Sequence, residues 1–385
     1  MNELADWPLL SLLLASPLLG ALATALLRRA PWAQWMALAS TLLTLLLAFV
    51  IVAAFDRTDP GFQLLDSANW IPGINVRYLV GADGLSLLFL PATALLFAAA
   101  VVTSGRGTAL ASPLAPGVYF ALLLLLEAAT LGVFCALDLI LFLFCWEFTL
   151  LPVYFLVSLW GIGSGRQAAA IRYFLVMLAG GVPLLFGFLA TALASAEQGG
   201  PFFDLPTLLA MPLPESVQPL VFALLFLAFA VKVPIVPLHT WLSPLAIGAP
   251  VAVTAVLVGL KIGAFGLLRV AIPLAPVAAR ELHWLLAGTG TVAILYGGVA
   301  ALAQSNLRGV LAYASVSHVG LVLLGLASFS VAALQGALLL LLNFSLATGG
   351  GFLVLALLQR RTGSTDVADL GGVVRSMPVL SGFFL

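Results

Sequence analysis

Runs of about 20 apolar residues recur along this chain with short polar breaks between them, the length a helix needs to cross a bilayer. The pattern predicts spans near 8–27, 33–54, 80–103, 116–135, 137–160, 170–194, 219–243, 250–272, 282–303, 308–328 and 331–358. Each run is too long and too uniformly apolar for the alternating strands of a barrel, so they read as helices. The longest breaks are 55–79, with Asp56, Arg57, Asp59, Asp66 and Arg77, and 195–218, rich in Pro and Gly. A last apolar run opens after Pro378 and reaches only to Leu385. The pattern therefore predicts a chain cut within a helix, with further helices beyond.

Composition agrees with this pattern. The chain is 63% hydrophobic and 8% charged, with a mean hydropathy of +1.20, whereas a soluble domain carries roughly 25% charged residues. The expected fold class is all-α, a polytopic transmembrane helix bundle. Fifteen basic and fifteen acidic residues cancel, which argues against nucleic acid as a partner. Cys135 and Cys145 both lie in apolar runs, and no Cys or Cys/His spacing suits zinc, haem or an iron–sulfur cluster. The acidic start, Met-Asn-Glu-Leu-Ala-Asp, is unlike a cleavable signal, whose first residues are basic.

Arginine placement predicts orientation, because basic loops stay inside. With the N-terminus outside, Arg28, Arg29, Arg106, Arg166, Arg172, Arg308, Arg360, Arg361 and Arg375 fall on inner loops, and only Arg57, Arg77, Arg269 and Arg280 fall on outer ones. The two remaining basic residues, Lys232 and Lys261, are the only lysines, and both lie within apolar runs. An ammonium at bilayer depth costs at least ~2.5–3.5 kcal/mol, so such charges usually line ion pathways or pair inside a bundle. Lysine can give up its proton when desolvated, whereas arginine effectively cannot.

Lys232 belongs to Val231-Lys-Val-Pro234-Ile-Val-Pro237-Leu-His239-Thr-Trp241. Pro234 and Pro237 lack the amide hydrogens that would bond the carbonyls of Ala230 and Val233, so the helix is expected to break beside the charge. Broken helices at this depth are tolerated in protein-lined cavities and often form transport sites. The competing account is a kinked packing helix with a snorkelling lysine. Glu147 lies halfway along its own run, and a mid-depth lysine is its natural partner; a Glu147–Lys232 pair would make a two-state proton switch, or a purely structural ion pair. Lys261 has no acid nearby in sequence and can exchange its proton through internal water. His318, flanked by Ser315 and Ser317, suits a hydrogen-bonded relay or plain packing. His239 follows the break and could order water beside Lys232, and Glu127, in the middle of the preceding span, is a further candidate. His283 opens a span and reads as interfacial. Gly161-Ile-Gly-Ser-Gly165-Arg166 follows no strand and reads as a loop rather than a phosphate cradle.

These residues together resemble a known family. Val80-Gly-Ala-Asp83-Gly-Leu-Ser86, Gly132 through Asp138 and Trp146-Glu147 to Pro152, Lys232-Val-Pro234 through Pro237-Leu-His-Thr-Trp-Leu242, Leu260-Lys261-Ile-Gly263 through Gly266-Leu-Leu-Arg269, and Tyr313-Ala-Ser-Val-Ser-His318 are similar to the antiporter-like subunit M (chain 4) family of proton-translocating NADH–quinone oxidoreductase, respiratory complex I. The resemblance runs through nearly all of the chain. It implies about fourteen helices in two antiporter-like inverted five-helix repeats, each with a broken helix. On this chain that divides into N-terminal helices at 1–115, a first repeat at 116–272 and an incomplete second repeat at 282–385. The family's proton path falls on Glu147, Lys232, Lys261 and His318, with a charged residue of a later broken helix beyond Leu385.

The resemblance further implies a non-redox subunit of a proton-translocating NADH:quinone oxidoreductase, in a bacterial inner membrane, among other membrane-arm subunits. No cofactor is expected in this chain; NADH, FMN, iron–sulfur clusters and quinone are expected in partner subunits. Two stretches depart from the family. Ser243-Pro-Leu-Ala-Ile-Gly-Ala-Pro250 stands where Pro-Asp-Ala-His-Val-Glu-Ala-Pro is usual, and Asn343-Phe344-Ser-Leu-Ala347 has Phe344 in place of a His. The Glu/Lys/Lys set is shared with subunits of multisubunit cation/proton antiporters, membrane-bound hydrogenases and carbon-uptake complexes, and a diverged structural scaffold is the remaining alternative.

Overall fold

The computed structural model describes residues 7–26, 30–105, 115–196 and 199–384. Arg28, Arg29 and Arg106, used above for orientation, lie outside the described residues, as do the six N-terminal residues and Leu385. Nine helices among the described residues are long and apolar enough to cross a membrane, and two shorter apolar helices, Phe89–Ser104 and Gln218–Lys232, stand beside them. These fall on the eleven runs read from the sequence.

In chain order, α1 (Leu9–Leu26) and α2 (Ala30–Ala54) lead into an antiparallel hairpin of β1 (Gln63–Ile71) and β2 (Val76–Ala82), followed by α3 (Phe89–Ser104) and α4 (Pro116–Cys135). The next span is split into α5 (Leu139–Phe148) and α6 (Leu150–Trp160). Then come the long α7 (Arg166–Ala196), the short α8 (Leu205–Ala210) and α9 (Gln218–Lys232). Beyond them lie α10 (Leu242–Gly248), α11 (Val251–Gly259), α12 (Ile262–Gly266), α13 (Ile272–Leu274) and α14 (Pro276–Glu281). The chain continues through α15 (His283–Leu302), α16 (Leu307–Ala327), α17 (Val331–Thr362), α18 (Val373–Ser376) and α19 (Pro378–Phe384).

The hairpin corrects the sequence reading, which began a helix at 80. Val76–Ala82 pairs with β1 instead, and the helix starts at Phe89. Asn75 turns the chain in the left-handed region (φ 57°) after Pro72–Ile74, a conformation Asn tolerates better than most residues. The hairpin is tied to the bundle because the Leu137 amide donates to Leu79 O at 2.9 Å and the Leu205 amide to Leu137 O at 2.6 Å. Asp138 anchors the junction: its side chain accepts from the amides of Ile140 (2.9 Å) and Leu141 (3.1 Å), capping α5, and from the Arg77 amide (3.0 Å).

At the opposite end of the bundle, buried Arg308 donates to the carbonyls of Ile247 (2.8 Å) and Ala249 (3.1 Å) and to Gln359. It joins α16, the α10–α11 turn and α17. The apolar core runs continuously between these two ends.

Candidate functional site: three helix breaks and two lysines

Three spans are interrupted near mid-length, each beside a charged residue. The first break lies at Thr149, between α5 and α6. Pro152 has no amide hydrogen for the Phe148 carbonyl, which weakens the ladder here. The Thr149 hydroxyl turns back to Trp146 O at 2.8 Å. The second break follows Lys232, the last residue of α9. The Ala230 carbonyl that Pro234 cannot serve takes the Ile235 amide at 3.1 Å, and the Val231 carbonyl takes the indole N–H of Trp241 at 3.0 Å. The carbonyl expected to be freed at Ala230 is therefore occupied.

The third break was not foreseen. The run 250–272 stops being helical at Leu260–Lys261, between α11 and α12, and the backbone then widens into a π-helical turn over Leu267–Ala271.

The breaks supply the partners of the lysines. The Lys232 ammonium donates to Trp146 O (3.1 Å) and Thr149 Oγ1 (3.0 Å), and lies 3.8 Å from the centroid of a Trp146 ring. The Lys261 ammonium donates to Val258 O at 2.5 Å and to the Ser315 hydroxyl. Both lysines therefore sit at the C-terminal end of a half-helix. Unpaired carbonyls and the negative end of the helix dipole favour a cation there.

The second and third breaks touch each other. A Cβ on Gly263 would lie 2.8 Å from the Val233 amide nitrogen and 3.0 Å from the Lys232 carbonyl carbon, so only glycine allows this approach. Between the breaks lies a cavity of ≈ 20 Å³, lined among others by Lys232, Pro234, Trp241, Lys261 and Ser315. That is about the room one water needs.

Glu147 is close to this centre but not in an ion pair with Lys232: no Glu147 oxygen lies within salt-bridge range of the ammonium. The lysine instead takes Trp146, just before the acid, and Thr149, two residues after it. Both carboxylate oxygens are buried without a hydrogen-bond partner and face Gly181 of α7, where an added Cβ would come within 2.0 Å of Oε1. Glu127, on α4, is fully buried and also unpartnered.

The expected Ser–His relay is rearranged. Ser315 is taken by Lys261, and Ser317 donates to Ile294 O at 3.2 Å. The His318 ring stacks on Phe344 at 4.0 Å and 4°, with Nδ1 unpartnered. His239 is buried against the rings of Tyr296 (4.9 Å) and Tyr313 (6.0 Å) and does not line the cavity beside Lys232.

Sequence reasoning gave no role to Trp146, Thr149, Gly181 or Gly263, and set Ser315 beside His318 where the structure gives it to Lys261. Pro152, three residues after Thr149, was the available signal for the first break. Nothing local marks the third.

Two buried lysines at adjoining helix breaks in a membrane helix bundle are an arrangement common among membrane transport proteins. Comparison with known proteins makes this specific. The family profile described as NADH:quinone oxidoreductase/Mrp antiporter, TM matches residues 136–385, and the chain belongs to that family. It is 36% identical over 387 residues to NAD(P)H-quinone oxidoreductase chain 4 1 of Synechococcus sp. (strain JA-3-3Ab), covering 100% of this chain and 72% of that one. It is 33% identical over 363 residues to NADH-quinone oxidoreductase subunit M of Rhodobacter capsulatus, covering 92% and 69%. Among solved structures, respiratory complex I from Thermus thermophilus with bound NADH contains a chain that superposes with a TM-score of 0.85. The two are 33% identical, over 96% of this chain and 76% of that one.

Proposed function

We propose that this chain is a membrane-arm subunit of an NADH–quinone oxidoreductase, and that it conducts protons across the membrane while partner subunits carry out electron transfer. The observation that carries the reading is the meeting of the Lys232 and Lys261 breaks across a cavity sized for one water. In this reading the cavity, lined by both lysine residues, is the place where water links the two breaks and passes a proton between them. The Ser315 hydroxyl then extends the path from Lys261 onto α16, where His318 lies one turn further on.

In this reading Glu147 acts on Lys232 through the shared α5–α6 break rather than by direct contact. A change in its charge alters the field at the Trp146 and Thr149 groups that hold the ammonium. Pro234 and Pro237 keep the break open, and His239 and Glu127 support the bundle around it. The chain itself transfers no electrons; NADH, FMN, iron–sulfur clusters and quinone belong to partner subunits. The segments 116–272 and 282–385 act as the first repeat and as part of the second. The arginine bias supports an N-terminus and hairpin on the outer side, and the membrane in this reading is a bacterial inner membrane.

The test is proton pumping by the whole complex in vesicles, with assembly checked alongside. Glu147→Gln and Lys232→Met are each expected to lower the protons pumped per quinone reduced in an assembled complex. Groups that relay protons typically contribute roughly 100-fold or more to a transfer step, so the share carried by this subunit is expected to vanish. Undiminished pumping in both variants overturns the reading.

A further inference from the structure

From Lys261 toward the β-hairpin, the chain carries Phe265 one helical turn on and Arg269 one turn beyond that, in the π-helical stretch. Phe265 forms a triangle with Phe89 of α3 and Phe134 of α4. Their ring centroids are 4.8, 5.0 and 5.8 Å apart, and none of the three is more than 2% exposed.

Arg269 lies against this layer, its guanidinium carbon 5.4 Å from the Phe265 ring centroid and 5.3 Å from that of Phe62. It donates to Asp83, and the two form the one ion pair among the described residues. Asp83 is itself fixed, since its Oδ1 accepts from the amides of Leu85 (3.1 Å) and Ser86 (3.0 Å). The arginine Nε and second terminal nitrogen are buried with no protein acceptor. Moving toward the hairpin from Lys261, one therefore meets a layer of packed phenyl rings and then a fixed arginine–aspartate pair.

A mid-membrane proton site dissipates the gradient if it is open to both faces at once. An apolar constriction resists wetting and so resists proton entry. Arginine also cannot relay a proton, because it does not release its own. The π-turn, a feature frequent at functional sites, carries this arginine onto the phenyl layer.

We propose that Phe89, Phe134 and Phe265, backed by the Arg269–Asp83 pair, seal the hairpin side of the Lys261 site. Protons that reach Lys261 then leave sideways through Ser315 rather than straight out. The inference rests on the proton-conducting reading above and adds the barrier that this reading requires.

The experiment is passive proton entry into vesicles holding the whole complex, driven by a potassium diffusion potential and read by an internal pH dye, with no NADH present. Phe265→Ser is expected to raise the leak several-fold, and Phe265→Leu, which keeps the layer apolar, to leave it at the native level. Adding Lys261→Met to Phe265→Ser is expected to return the leak to that level. Phe89→Ser opens the same layer from α3 and gives the same readout if the first variant does not assemble. A native leak in the assembled serine variants overturns the seal. So does a leak that persists without Lys261, because the protons then bypass the site. Failure of the underlying reading shows separately, as undiminished pumping in Glu147→Gln and Lys232→Met.

Discussion

At the scale of single residues, the structure answers how two ammonium groups lie inside a bilayer-spanning bundle without a carboxylate in contact. Carbonyls left over at helix ends, two hydroxyls and an indole ring take that place. Hydrogen bonds to charged groups are worth about 1.5–3 kcal/mol each, so removing one matters without emptying the site. Thr149→Val takes away one of the acceptors of Lys232. It is expected to lower the thermal stability of the solubilised subunit by roughly that 1.5–3 kcal/mol and to reduce coupled pumping, as thermal melts and vesicle assays would record. A sharper test concerns Glu147. Gly181→Ala places a methyl where the carboxylate now sits, within 2.0 Å of Oε1, and is expected to cut pumping by displacing the acid. Gly298→Ala, with nothing within 4 Å of the new methyl, is expected to leave it unchanged.

Among the elements, the recurring device is an interrupted helix rather than a particular motif. The break after Lys232 was legible, since two prolines three residues apart remove two donors from one stretch. The break at Thr149 was half legible through Pro152. The break at Lys261 was not legible, because Gly259-Leu-Lys-Ile-Gly263 is compatible with a continuous helix. It is held open by a tertiary contact, Gly263 against the Val233 backbone, and by the lysine capping its own helix through Val258 O. Gly263→Val is therefore expected to push α12 off the Lys232 break and abolish pumping, even though valine is a common residue in membrane helices. The same variant in a complex that assembles and pumps normally would mean that the close approach is dispensable. The hairpin was lost for a different reason. The apolar residues of β2 run on into the apolar start of the next helix, and hydropathy alone does not separate a strand from a helix in such a run.

For the whole molecule, the two ends of the bundle are tied in different ways. The hairpin end is closed by backbone pairing around Leu137 and by the Arg269–Asp83 pair. The other end is held by Arg308 reaching the α10–α11 turn and Gln359. This turn lies within residues 243–250, and its carbonyls serve the arginine. Arg308→Met keeps much of the buried stem but leaves those acceptors without their donor. A loss of about 3 kcal/mol or more is expected, visible as a lower melting temperature and less assembled complex. An unchanged melting temperature would show that the clamp is incidental.

The sequence by itself determined the membrane bundle, the eleven runs and the residues that carry charge into it, because hydropathy and the scarcity of buried lysine are local facts. It also pointed to the family, through motifs that are individually weak and jointly specific. Which groups meet was decided only by the tertiary structure. Lys261 found Ser315 rather than an acid, Lys232 found Trp146 and Thr149 rather than Glu147, and His318 found Phe344 rather than its neighbouring serines. The physical reason is that a buried ammonium needs acceptors, not a named partner. Which acceptors are free depends on where helices break and how closely they pack, and both are settled across the bundle rather than along the chain.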